Sequence, residues 1–301
     1  MSRTAALTAL LALAAGLTGC SAAGSDRPLV VVTTNILGDV VENLVGAEAE
    51  VMTLMKPDAD PHSFEISAQQ AGRMQDAALL VSNGLGLEEG LQQHLDTAAE
   101  NDVPTFVAGD HIEVLEYAEG DAVGMPDSHF WTDPARMLDV VDALGAELEA
   151  LDGVDAEAIA ASADEYRAEL EQLDAEMTDA FAAIPAERRA LVTNHHVFGY
   201  LAQRFGFRVI GAVIPGGTTL AAPSASDLRD LVAAIDEARV STIFAESSQP
   251  DRLVQVLADE ADRDVDVVEL YTESLTPEGA GADTYLTMMR VNTERIATGL
   301  A

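Results

Sequence analysis

Short apolar runs rich in Val, Ile and Leu recur along this chain, separated by stretches in which apolar residues fall three and four apart. The runs at 29–34, 51–55, 78–82 and 105–108 predict four buried strands, and those at 190–193, 208–214, 242–245 and 265–270 predict four more. Runs without alternating polar residues suit strands covered on both faces, and strands that alternate with helices imply parallel sheets. Between the two series, residues 155–184 place Ile159, Ala163, Tyr166, Leu170, Leu173, Met177, Ala180 and Ile184 at helical spacing, with no Gly or Pro before Pro185. At 1.5 Å per residue this predicts a rod about 45 Å long. The expected fold is α/β: two small domains, each a four-stranded parallel sheet flanked by helices, joined by one long backbone helix. The boundaries fall at 28–154 for the first lobe, 155–185 for the linker helix and 186–301 for the second lobe.

The N-terminus has a different pattern. After Arg3 comes an uncharged apolar run from Ala5 to Leu17. It is shorter than the roughly 20 residues a membrane-spanning helix needs, so residues 1–19 read as a signal peptide. The run ends in Leu17-Thr18-Gly19-Cys20, which resembles the lipobox of bacterial lipoproteins. That resemblance implies cleavage before Cys20, lipid on its thiol, and a small, polar, flexible tether over 20–27. The expected location is outside the cytoplasmic membrane, held there by the lipid alone. Cys20 is the only cysteine, so the folded part has no disulfide, thiolate metal site or cysteine nucleophile. A formal net charge of −36 repels nucleic acid and anionic lipid headgroups, which excludes both as partners. With 48% hydrophobic residues in a periodic pattern, the chain still folds.

The candidate chemistry is concentrated in histidine. His62 follows the second predicted strand, His195 the fifth and Glu273 the eighth; His129 precedes a helix start in which Asp133 serves as cap and Pro134 as first residue. In open parallel sheets ligands bind outside the carboxyl ends of the strands, so two of these residues from each lobe converge on the cleft. Three imidazoles and one carboxylate form a ligand set suited to zinc. Glu246, at the end of the seventh strand, is an acceptor for a ligand imidazole. Glu65 and His196 are further candidates for groups behind the ligands, Glu65 alternatively at a helix start. His195 and His196 are adjacent, and in a regular strand they would face opposite ways, so only one of them can be a ligand. Three histidines with a vacant fourth position would also suit a zinc hydrolase. The chain has no His-Glu-x-x-His helix and no nucleophile elbow, so the expectation is a binding protein and not an enzyme.

Five motifs in order carry a family resemblance: Asp60-Pro61-His62-Ser63-Phe64-Glu65, His129-Phe130-Trp131-Thr132-Asp133-Pro134, His195-His196-Val197-Phe198-Gly199-Tyr200-Leu201, Tyr271-Thr272-Glu273-Ser274-Leu275, and the closing Tyr285-Leu286-Thr287-Met288-Met289-Arg290-Val291-Asn292. Together they resemble the zinc- and manganese-binding solute-binding lipoproteins of bacterial ABC transporters. The resemblance implies capture of a divalent ion and its delivery to a membrane permease powered by an ATPase, by a protein expected to be a monomer. It selects His195 over His196 and makes His62, His129 and His195 the first three ligands. Histidine at the third position favours Zn2+ over Mn2+, since manganese prefers oxygen. Glu273 stands where many members have Asp, which leaves either its carboxylate or a water in the fourth position. The segment 116–127, where many zinc-specific members carry a histidine-rich insertion, is short, acidic and without histidine, so manganese remains the alternative.

Overall fold

The computed structural model describes residues 27–118, 122–214 and 216–301; the signal peptide, Cys20 and the tether up to Asp26 lie outside the described residues. All eight expected strands are present. The first lobe runs β1 (Leu29–Val32), α1 (Asn35–Val45), β2 (Glu50–Thr53), α2 (Ala68–Gln75), β3 (Leu79–Ser82), α3 (Gln92–Glu100), β4 (Thr105–Val107) and α4 (Pro134–Glu149). The long helix α5 (Ala156–Ala182) follows. The second lobe runs β5 (Ala190–Thr193), α6 (Gly199–Phe205), β6 (Arg208–Ala212), α7 (Ala225–Ala238), β7 (Thr242–Glu246), α8 (Arg252–Glu260), β8 (Asp266–Leu270) and α9 (Tyr285–Gly299).

Both sheets are parallel and four-stranded, with orders β2-β1-β3-β4 and β6-β5-β7-β8. The strand order is the same permutation in each lobe. Several strands end earlier than their apolar runs, because side chains at the run ends serve the next element. Thr34 leaves β1 to cap α1, its hydroxyl accepting from the Leu37 N–H at 3.3 Å. Asp155 caps α5 in the same way, accepting from Glu157 N and Ala158 N. The helix ends at Ala182, so its 27 residues span about 40 Å. On its last turn Phe181, not Ala180, is the buried residue, and Ile184 packs from beyond the helix end.

One face of α5 buries Ile159, Tyr166, Leu170, Leu173, Met177 and Phe181, each worth about 1.5–3 kcal/mol of apolar burial. These side chains share a single core with Val30, Val32 and Val40 of the first lobe, Leu191, Leu201 and Phe205 of the second, and Tyr285, Met288 and Ile296 of α9. The apolar interior thus passes from lobe to lobe along the rod. Two smaller cores lie on the outer faces of the sheets. Val31, Leu54, Met74, Leu80 and Leu91 form one, and Val192, Val213, Leu231, Ile235, Ile243 and Val254 the other. Among the described residues no helix is long and apolar enough to cross a membrane.

Candidate metal centre

His62 lies in a turn after β2. The Asp60 carboxylate accepts from its backbone N–H at 2.8 Å, and its carbonyl accepts from Gly90 N at 3.1 Å. His129 follows Asp127, whose Oδ1 accepts from both the backbone N–H and Nδ1 of that histidine, at 2.9 and 2.8 Å. The Tyr117 hydroxyl stands 3.1 Å from the same Nδ1. Tyr117 stands next to an isolated antiparallel bridge between Glu116 and Pro126. His195 sits in a bend beyond β5, its carbonyl accepting from Thr193 Oγ1 at 2.6 Å. Its Nδ1 is 2.5 Å from Oε1 of Glu246, the last residue of β7.

The segment carrying Glu273 belongs to the second lobe but is tied to the first. Trp131 Nε1 donates to Thr272 O at 2.7 Å, and Asn35 bonds both Ser274 Oγ at 2.8 Å and Leu275 N at 3.0 Å. With each Nδ1 of His129 and His195 engaged by a carboxylate, the Nε2 lone pairs point inward.

The four groups meet at one point. Glu273 Oε1 lies 3.0 Å from His62 Nε2, 3.4 Å from His129 Nε2 and 3.2 Å from His195 Nε2, and the last two nitrogens are 3.2 Å apart. One ligand atom from each of the four lies within 4.8 Å of all the others. Bonds of about 2.0–2.1 Å to a tetrahedral ion give ligand–ligand edges of about 3.3 Å, so these separations fit such an ion. Without a proton or cation between them, lone pairs at this distance repel. Glu273 Oε2 and His62 Nδ1 are buried with no hydrogen-bond partner, as expected of a site shaped for something else.

The electrostatics agree with that reading. Burial alone would pull the His195 imidazolium down, but the Glu246 and Glu273 carboxylates hold its pKa well above the ordinary value. Burial likewise opposes His129, which Asp127 and Glu273 push up. Burial favours a neutral Glu273, yet the His195 charge and the bonds from His129, His195 and His62 hold its pKa well below the carboxylate range. Burial keeps Glu246 above its usual value despite His195. The pocket strongly favours positive charge between these acids, in the form of protons or a metal ion.

Two expected groups lie elsewhere. Glu65 is exposed before the Ser67 cap of α2 and does not touch His62; the carboxylate nearest His62 Nδ1 is Glu89 Oε1, at 3.8 Å. The His196 ring lies beside Tyr117, 6.5 Å between centroids, and lines a cavity of about 340 Å³ with Asp127, Phe198 and Phe207. Burial and the nearby His195 lower its pKa. Asp127, Tyr117 and Glu89 went unread in the sequence. Only Asp127 left a signal there: an acid two residues before His129, as Asp60 is before His62.

This arrangement has known counterparts. At 27% identity over 294 residues, covering 97% of this chain and 95% of the relative, the chain is similar to the manganese-binding lipoprotein MntA of Halalkalibacterium halodurans. It is 30% identical over 289 residues to the zinc-binding protein TroA of Treponema pallidum, covering 93% of this chain and 91% of TroA. The fold superposes on the solved periplasmic zinc-binding protein TroA with a TM-score of 0.83 at 28% identity, over 91% of this chain and all but 1% of that one (99% covered). A Mn-bound periplasmic metal-binding protein from candidatus liberibacter asiaticus matches with a TM-score of 0.80 at 25% identity, over 91% of this chain and 100% of its own. The family model described as zinc-uptake complex component A, periplasmic, matches residues 30–299, and the chain belongs to that family.

Proposed function

We propose that this chain captures a divalent metal ion, zinc by preference, outside the cytoplasmic membrane and delivers it to an ABC transporter permease driven by its ATPase. The observation that carries this reading is the meeting of three imidazole nitrogens and one carboxylate oxygen, from four separate segments, within 4.8 Å. The ion exchanges its water shell for His62, His129, His195 and Glu273. Three neutral imidazoles and one carboxylate leave the bound dication at +1, and Glu246 and Asp127 behind the rings more than offset that charge. Three nitrogens and a single carboxylate suit zinc better than manganese, which prefers oxygen. Manganese is the second reading, supported by the relative named as a manganese-binding lipoprotein.

A carboxylate in the fourth position, with every ligand no more than 1% exposed, gives a bound water no place to attack a substrate. This supports transport over hydrolysis. Attachment through Cys20 and a monomeric state are part of the same proposal.

Equilibrium dialysis of the ion-free protein against zinc and manganese, with metal analysis, tests the reading. One ion per chain is expected, with zinc displacing manganese, and His62→Ala or His195→Ala should lower affinity by orders of magnitude. Binding weaker than micromolar, or indifferent to both substitutions, refutes it. Because imidazoles must be neutral to ligate, acid should release the ion.

A further inference from the structure

The four ligands are almost wholly buried, so an ion enters or leaves only when part of the cleft parts. Most ties between the lobes lie on the floor and the back. Trp131 to Thr272, Asn35 to the 274–275 segment, Asp58 N to Leu275 O, and Tyr200 OH to Asp127 O hold the Glu273 segment and α6 against the first lobe. The shared core along α5 reinforces them. The loops after β6 and β7 differ. They stand on the separate outer core of the second lobe, and among the described residues only three of their hydrogen bonds cross the cleft. One is a long contact from Tyr117 OH to Gly217 O, 3.4 Å. The other two end on one carboxylate: Thr219 Oγ1 and Gln249 Nε2 donate to Asp60 Oδ2 at 2.6 and 3.0 Å.

We propose that Asp60 is a latch that sets how long the ion is retained, acting as a positioning residue between His62 and the rim of the second lobe. Its Oδ1 accepts from the His62 backbone N–H, while Oδ2 accepts from Ser63 Oγ at 3.0 Å and from the two residues across the cleft. The carboxylate that orients a metal ligand is therefore the one that holds the opposite lobe closed. Four donors converge on it, two from its own turn and two from the opposite lobe. Thr219 and Gln249 are half-buried, and their side-chain hydrogen bonds across the cleft go to Asp60. Opening the rim frees Asp60 Oδ2, loosens the turn that bears His62, and weakens the site from one side.

The inference rests on the metal-capture reading, and release kinetics separate the two. Zinc-loaded protein is mixed with excess chelator in a stopped-flow instrument. Thr219→Val and Gln249→Ala should each speed release about tenfold, as loss of a charge-assisted bond implies. Association should change less than threefold, and the melting temperature of the ion-free protein should fall by about 5 °C or less. Asp60→Asn should release faster still, and adding Gln249→Ala to it should bring no further acceleration, since both act through one carboxylate. If Asp60→Asn does not fold, the two variants on the opposite lobe decide the matter. Parental release rates in both variants, or a full independent effect of Gln249→Ala in the Asp60→Asn background, overturn the latch and leave metal capture standing. A parent protein that takes up neither zinc nor manganese removes both.

Discussion

Replacing Glu246 with glutamine keeps an oxygen for the His195 Nδ1–H but removes a negative charge from behind the ring. The 2.5 Å contact, an imidazole about 2.2 Å across its nitrogens and a metal bond of about 2.0 Å place the ion about 6.5 Å from that carboxylate. With an effective dielectric constant of about 20, a dication there loses about 5 kcal/mol of attraction. The ion-free protein loses too, because Glu246 stabilises the proton that His195 carries when no ion is bound. A single charge at similar distance forfeits about half as much, so the net loss of affinity is about 2.5 kcal/mol, or somewhat under a hundredfold. Loss of a carboxylate behind a metal-bound histidine typically weakens binding about 10–100-fold. Competition with a chromophoric zinc chelator at fixed pH and ionic strength measures the effect. An affinity within twofold of the parent would refute the claim that Glu246 acts on the ion through His195.

Two further outcomes follow from other contacts. Asp39 accepts from Tyr285 N at the start of α9, and burial raises its pKa from 3.8 to about 6 despite that bond. A raised folded-state pKa means that its contribution to stability is fully present below pH 3.8 and is lost as the pH rises through about 6. Asp39→Asn should therefore stabilise the ion-free protein by about 2 kcal/mol at pH 7.5 and hardly at all near pH 4; equal gains at both pH values in urea titrations would contradict it. A Cβ on Gly199 would lie 2.4 Å from Asp127 Oδ2, so Gly199→Ala should push Asp127 off His129 and lower zinc affinity about tenfold. Unchanged affinity by the same chelator competition would show that Asp127 does not orient that ring.

The strands and the rod were legible because both are written in local periodicity: unbroken Val/Ile/Leu runs, and apolar residues at three-and-four spacing from Ile159 to Met177. The convergence of His62, His195 and Glu273 was legible for a related reason, since a parallel sheet sends the residues after its strands to one edge; His129 stood out instead by its place before the cap of α4. Groups set by the packing of one loop on another were not. Glu65 is near His62 in sequence, but Glu89 approaches its ring because the Gly90 segment packs on the His62 turn, where a Cβ at Gly90 would lie 2.6 Å from Phe64 O. In a regular strand His195 and His196 would face opposite ways. The chain bends there instead, and the partition comes from Glu246 on one side and the cavity beside Tyr117 on the other. Asp60 was readable as a neighbour of His62, but its partners Thr219 and Gln249 are 159 and 189 residues away.

The seamless interior along α5 has a consequence for how the molecule can come apart. A chain severed near residue 155 would leave each fragment with a greasy flank and nothing to cover it, so neither piece should survive alone in water. Heating should dismantle the joined interior of both halves in a single step, and only the two outer strips, one in each lobe, have the insulation to loosen ahead of the rest.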